Sequence, residues 1–261
     1  MKICVCVKHV PDPNLAMRVD PATKRLIRDS AKSILDPADE YSLEAALRLV
    51  EQHGGETVAM TMGPPAAEDA LRRAMAMGAD RSILISDDAL AGSDVLGTAR
   101  TLAAALSAES PDLVICATES TDAYSGMLPG ALAALLGMPQ VTFARSVTVE
   151  GTTITVQRDI ETGYQTIQTT LPALLTVTAS IAEPRYPSFK GMMAAKKKTV
   201  DKRDVAALGL DGATVGASGA RERVLAIVPV SQAKQTRTIT DDGSGESVPE
   251  IVAFLKQIQV I

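Results

Sequence analysis

Short runs of apolar and β-branched residues alternate with longer stretches in which apolar positions recur every three or four residues. Such alternation predicts strands and helices packed as parallel βαβ units. Lys2 to Val7 is apolar on both faces, as a central parallel strand covered on two sides requires. A polar stretch from His9 to Leu35 follows, and within it Met17 to Ile27 alternates around a Pro-containing turn, which predicts a small hairpin. Asp36-Pro37-Ala38-Asp39-Glu40 then combines an N-cap carboxylate, proline at the first helical position and acids in the first turn. Leu43, Ala46, Leu47 and Val50 continue one apolar face until Gly54-Gly55. Further strands are expected at 57–62, 82–86 and 113–117. Helices are expected with Ala70, Leu71, Ala74 and Met75 on one face before Gly78, from Asp94 to Ala108, and from Gly126 to Leu136.

Four βα units in series predict an α/β fold with a doubly wound, mostly parallel, Rossmann-like sheet. After Pro139 the period changes to two, with Val147 and Val149, Ile154 and Val156, then Ile167, Thr169 and Leu171. These read as antiparallel strands that extend the sheet or lie beside it, before a buried strand at 173–177. The segment 183–210 is basic and irregular, and 212–219 and 238–247 are small and polar, so all three read as loops or linkers. Val248 to Val260 reads as a short helix. The division expected is an α/β body over 1–210, with a linker and extended C-terminal arm over 211–261.

Composition narrows the function. The 261 residues carry 26 basic and 31 acidic side chains, a net charge of −5, which argues against nucleic acid as partner. No apolar run reaches the roughly 18 residues needed to cross a bilayer. The N-terminal segment turns polar too early for a signal peptide, so a cytoplasmic location is expected. Cys4, Cys6 and Cys116 lack metal-finger spacing and read as buried free thiols, the first two on one face of a strand. There is no Trp and only 3% aromatic residues, so the chain is not expected to clasp a redox cofactor alone.

Open parallel sheets bind ligands outside the carboxyl ends of their strands, which directs attention to 6–10, 62–65, 86–88 and 117–127. The last of these, a run of small and hydroxyl residues before a helix, can offer backbone N–H groups to a phosphate or serve as ordinary capping. Asp36 and Asp39 either cap their helix or reach a ribose or adenine edge. Glu119 and Asp122 form a conceivable acid pair, but neither His9 nor His53 has a nucleophile at a recognisable spacing. No G-x-x-x-x-G-K-[ST] and no G-x-G-x-x-G is present, which disfavours the usual triphosphatase and dinucleotide sites. The stretch Arg185 to Lys198 mixes apolar side chains with positive charge and reads as a docking surface for something acidic or as a solvated face.

These segments coincide in VKHVPD, DPADEYSLEAALRL, AMAMGADR, ESTDAYSG, VQRDIETGYQTIQTTLPALLTV and EPRYPSFKGMMAAKKK. Together they resemble the β subunit of electron transfer flavoproteins over residues 1 to about 210. The resemblance implies a non-enzymatic electron carrier: a heterodimer whose α subunit holds most of the FAD site, while the β subunit binds AMP structurally and helps shape the flavin cleft. It implies electrons taken from acyl-CoA and related dehydrogenases and delivered to a quinone-linked oxidoreductase. By position the nucleotide would contact Cys6, Asp36, Asp39, Met62, Ala117, Thr121, Asp122, Ser125, Gly126, Met127 and Leu128. Because Ala123, Tyr124, Gly126 and Met127 depart from the family's commoner loop, the resemblance carries main-chain contacts rather than side-chain ones. Tyr186, Phe189, Met192, Lys196, Lys197 and Lys198 would form the partner-recognition loop within 183–200, with Phe189 as anchor. Two alternatives stand beside this: a universal-stress-type nucleotide-binding regulator, and a bifurcating relative with a second FAD in place of AMP. A hydrolase or ligase of adenine-nucleotide type would need a pyrophosphate motif near the first strand, and VKHVPDPN offers none.

Overall fold

The computed structural model describes residues 1–29, 32–228 and 238–261; parts of the predicted polar insertion and of the arm lie outside the described residues. The chain starts with β1 (Lys2–Cys6), then β2 (His9–Pro11), the hairpin β3 (Val19–Asp20) and β4 (Arg25–Leu26), and β5 (Ser33–Leu35). Next come α1 (Pro37–His53), β6 (Glu56–Met62), α2 (Glu68–Met77), β7 (Arg81–Ile85), α3 (Val95–Glu109), β8 (Leu113–Ala117) and α4 (Leu128–Leu136). A meander of β9 (Gln140–Glu150), β10 (Thr153–Ile160) and β11 (Gly163–Thr170) leads into β12 (Ala173–Val177). The remainder contains α5 (Phe189–Lys197), β13 (Asp201–Arg203), α6 (Gly216–Gly219) and α7 (Ser247–Gln257).

The large sheet runs β11-β10-β9-β12-β8-β1-β6-β7-β13, parallel from β9 to β13 and antiparallel in its outer two pairings. The alternating residues after Pro139 therefore extend the sheet. Side-chain alternation along β1 builds a core on each face: Ile3 and Val5 pack with Leu43 and Leu71 of α1 and α2, whereas Cys4 and Cys6 pack with Leu102, Leu106 and Leu132 of α3 and α4. Leu43, Leu71, Leu106 and Leu132 are fully buried, each worth about 1.5–3 kcal/mol. The edges are polar or charged, Thr and Gln along β11 and Asp-Lys-Arg in β13, which discourages edge-to-edge pairing.

Several expectations change in detail. The helix expected from Gly126 begins at Leu128, because Tyr124 and Gly126 take positive φ and end the preceding loop. The segment 183–210 is not loop throughout: it holds α5, which packs along α2, and β13, which pairs with β7. Both depend on tertiary partners rather than on local periodicity. The stretch 212–219 likewise contains a turn of 3₁₀ helix and the short α6. Residues Met1–Leu225 form one compact unit and Ala226–Ile261 a second. Within the second, α7 exposes Val248, Ile251 and Val252.

Candidate functional site

β1, β6 and β8 all end at the same edge of the sheet, and the cleft outside those ends has a volume of about 530 Å³. Cys6, Met62, Leu90, Leu102 and Cys116 give it an apolar floor. Loop residues Thr118, Glu119, Ser120, Ser125 and Gly126 form one wall, followed by Leu128 and Pro129 at the start of α4. Opposite them lie Gly92 to Val95 and Thr98, where α3 begins. Lys8, Arg25 and Arg28 supply positive charge at the mouth.

Asp36 and Asp122 hold the loop in place, and Asp39 holds the chain just after β1. Asp36 caps α1 by accepting from the Ala38 N–H (3.0 Å), and its second oxygen accepts from the Thr121 N–H (2.8 Å). Asp39 accepts from the Lys8 N–H (2.7 Å) at the cleft floor. Burial, with the neighbouring Asp36 charge, pushes the Asp39 carboxyl well above the usual carboxylate range against the opposing Lys8 bond. The Asp122 side chain is fully buried and pairs with Lys8 Nζ (2.7 Å) and with Arg28. Burial alone would raise its pKa, but Lys8, Ser120 and Arg28 outweigh that and hold it below the ordinary value. Asp122 is thus committed to cations, and the acid pair with Glu119 does not form.

The thiols of Cys4 and Cys6 are held neutral. A hydrogen bond with Cys116 and burial push Cys6 up, and burial pushes Cys4 to about 12. Cys6 and Cys116 serve as small apolar floor groups, and Cys4 packs in the core.

The loop turn uses the amides of Ala123 and Tyr124, and Asp36 takes that of Thr121; those of Ser125 and Gly126 make no bond among the described residues. Two free amides ahead of a helix, nearby basic side chains and an apolar floor suit a ligand that joins an anionic group to an apolar one. Thr121 Oγ1 beside the wall is buried without a partner among the described residues.

Of the residues proposed from sequence, Cys6, Asp39, Met62, Ala117, Ser125, Gly126 and Leu128 line the cleft. Asp36, Thr121 and Asp122 lie behind the wall as its supports, and Met127 turns outward, 59% exposed. Lys8 falls inside the strand-end window flagged above. Arg25 and Arg28, together with Leu90 to Thr98, escaped notice, since nothing in their local pattern marks them and only the hairpin's return brings the two arginines to the cleft.

Away from the cleft, Tyr186 and Phe189 stand clear of the body, 89% and 77% exposed, with Met192 beside them. Lys196 and Lys197 are exposed as well, whereas Lys198 turns back so that Nζ donates to the Ala79 carbonyl (2.8 Å).

The sheet order and the strand-end cleft define a doubly wound α/β protein with one principal ligand cleft among the described residues. The family model described as the electron transfer flavoprotein domain matches residues 23–208. Electron transfer flavoprotein subunit β of Mycobacterium tuberculosis is 38% identical over 265 residues, covering 99% of both chains. The corresponding subunit of Thermoanaerobacterium thermosaccharolyticum is 38% identical over 262 residues and all of both chains. A subunit of the caffeyl-CoA reductase-Etf complex of Acetobacterium woodii is 35% identical over 263 residues, again covering both chains fully. The chain belongs to the electron transfer flavoprotein family, among its β subunits. Within the described residues no helix is long and apolar enough to cross a membrane.

Proposed function

We propose that this chain is the β half of a heterodimeric flavin carrier and holds AMP in the cleft between Met62 and the 117–128 loop. The observation that carries the reading is the convergence there of an apolar floor, the free Ser125 and Gly126 amides and the Arg25 charge, with Lys8 and Arg28 held beside it by Asp122. An α subunit carries most of the FAD, and that flavin supplies the redox chemistry. This chain's residues bind the adenylate, support the partner subunit and present Phe189 to dehydrogenases such as those of acyl-CoA oxidation. A quinone-linked oxidoreductase receives the electrons. The low aromatic content agrees with a flavin held chiefly elsewhere. A relative belonging to a complex named for a CoA-thioester reductase supports acyl-CoA chemistry on the partner side.

A second reading places a second FAD in the same cleft. It draws on Arg25, a cation in the cleft lining beyond the Lys8 and Arg28 that pair with Asp122. Extraction of the purified αβ complex separates the two: one FAD and one AMP per pair supports the first reading, two FAD and no AMP the second. A flavin-free chain that purifies without an α-like partner would overturn both.

A further inference from the structure

We infer that Arg72, on α2, is the positioning residue for the docking face of α5, holding that helix in its docking pose before any partner arrives. The inference rests on the proposed role of Phe189 and assigns what places it. Nine residues with a glycine in the first turn do not make a stable helix alone. Ser188 caps the start, its Oγ accepting from the Gly191 N–H (3.0 Å), but the C-terminal carbonyls need partners as well. Arg72 Nη1 supplies them, donating to the Ala195 carbonyl (2.8 Å) and to that of Lys198.

The guanidinium is itself fixed. Its Nε and Nη2 donate to Glu68 Oε1 one turn earlier (3.1 and 2.7 Å), and Glu68 Oε2 also takes Lys202 Nζ (2.8 Å). Gly191 makes the close approach possible, since a Cβ there would lie 2.5 Å from the Ala76 carbonyl oxygen at the end of α2. In front of the helix, Arg185 bonds to Glu44 and Glu51 of α1. The chain from 185 to 198 is therefore strapped at both ends across α1 and α2, and Tyr186, Phe189, Met192 and Met193 are left facing outward. A face ordered in advance does not lose that ordering entropy on binding. Arg72 acts on docking through α5 and touches no partner in this scheme.

The test uses the intact αβ complex, with Arg72→Lys and Arg72→Gln beside Phe189→Ala. Hydrogen exchange at the Met192 and Lys198 amides is measured, together with KM and kcat for reduction by an acyl-CoA dehydrogenase charged with its acyl-CoA. A lysine keeps the charge but not the planar fork whose Nε and Nη2 grip Glu68 while Nη1 reaches the two carbonyls. Both Arg72 variants are expected to exchange faster at these amides and to raise KM about tenfold, with kcat and flavin content unchanged. Phe189→Ala is expected to raise KM with exchange as in the wild type. Arg72 variants with wild-type exchange or wild-type KM, while Phe189→Ala raises KM, overturn the inference and leave the docking reading intact. A wild-type KM for Phe189→Ala overturns the docking reading and this inference with it.

Discussion

The carboxylate of Asp36 bonds both to the Ala38 amide that opens α1 and to the Thr121 amide in the loop after β8, 85 residues further on. One buried side chain thus terminates a helix and fixes a wall of the cleft. Asp36→Ala is expected to destabilise the protein by about 2–3 kcal/mol, combining a lost cap with an unpaired buried amide. Urea unfolding measures the loss, and retention of bound nucleotide reports the loosened wall. Wild-type values for both would refute the dual role.

Met62 lies on the cleft floor at the end of β6. Met62→Trp places a larger ring where the adenine is proposed to sit without adding charge to the core. The expected outcome is a folded αβ complex whose extract contains FAD at the wild-type level and adenylate at background. An unchanged adenylate content would place the ligand elsewhere.

Glu44 is buried on α1 and meets Arg185 and Arg48. Burial would raise its pKa, but the hydrogen bonds from those two arginines outweigh it and hold the carboxyl at about 2, against an ordinary 4.5. Because the folded value is the lower one, the ion pair's stabilisation is complete above the ordinary value and fades as pH falls toward 2. At neutral pH Glu44→Gln is expected to be the less stable protein, and the gap should close on acidification below 4.5. Denaturation series across that range check the sign; a gap that widens as pH falls contradicts it.

Cys4 is held neutral by burial, and Cys6 by its bond with Cys116 and burial. Iodoacetamide at pH 8 is expected to leave both unlabelled in the native protein and to label them once urea unfolds it, because the thiolate is the nucleophile. Peptide mass spectrometry distinguishes the three thiols. Rapid native labelling at Cys6 would show a more open cleft floor.

Much of the architecture is legible along the chain because it follows from local rules. Asp36 and Pro37 announce α1, the apolar run at Lys2–Cys6 announces a two-faced central strand, and Gly78 ends α2 with positive φ. The same alternation put Cys4 and Cys6 on one face, and strand-end reasoning located the 117–128 loop. These features depend on residues within a turn or two of one another, where spacing alone determines which side chains share a face.

Tertiary structure decided the rest, since the groups involved meet only after folding. The helix α5 and strand β13 are too short to form on their own propensity and exist against α2 and β7. Asp122 was a plausible ligand by position, yet Lys8 and Arg28 claim its carboxylate and make it a support. Arg25 and Arg28 reach the cleft mouth because the β3–β4 hairpin turns them there. A charge placed by long-range chain return leaves no periodic trace in the sequence, whereas a cap or an amphipathic face does.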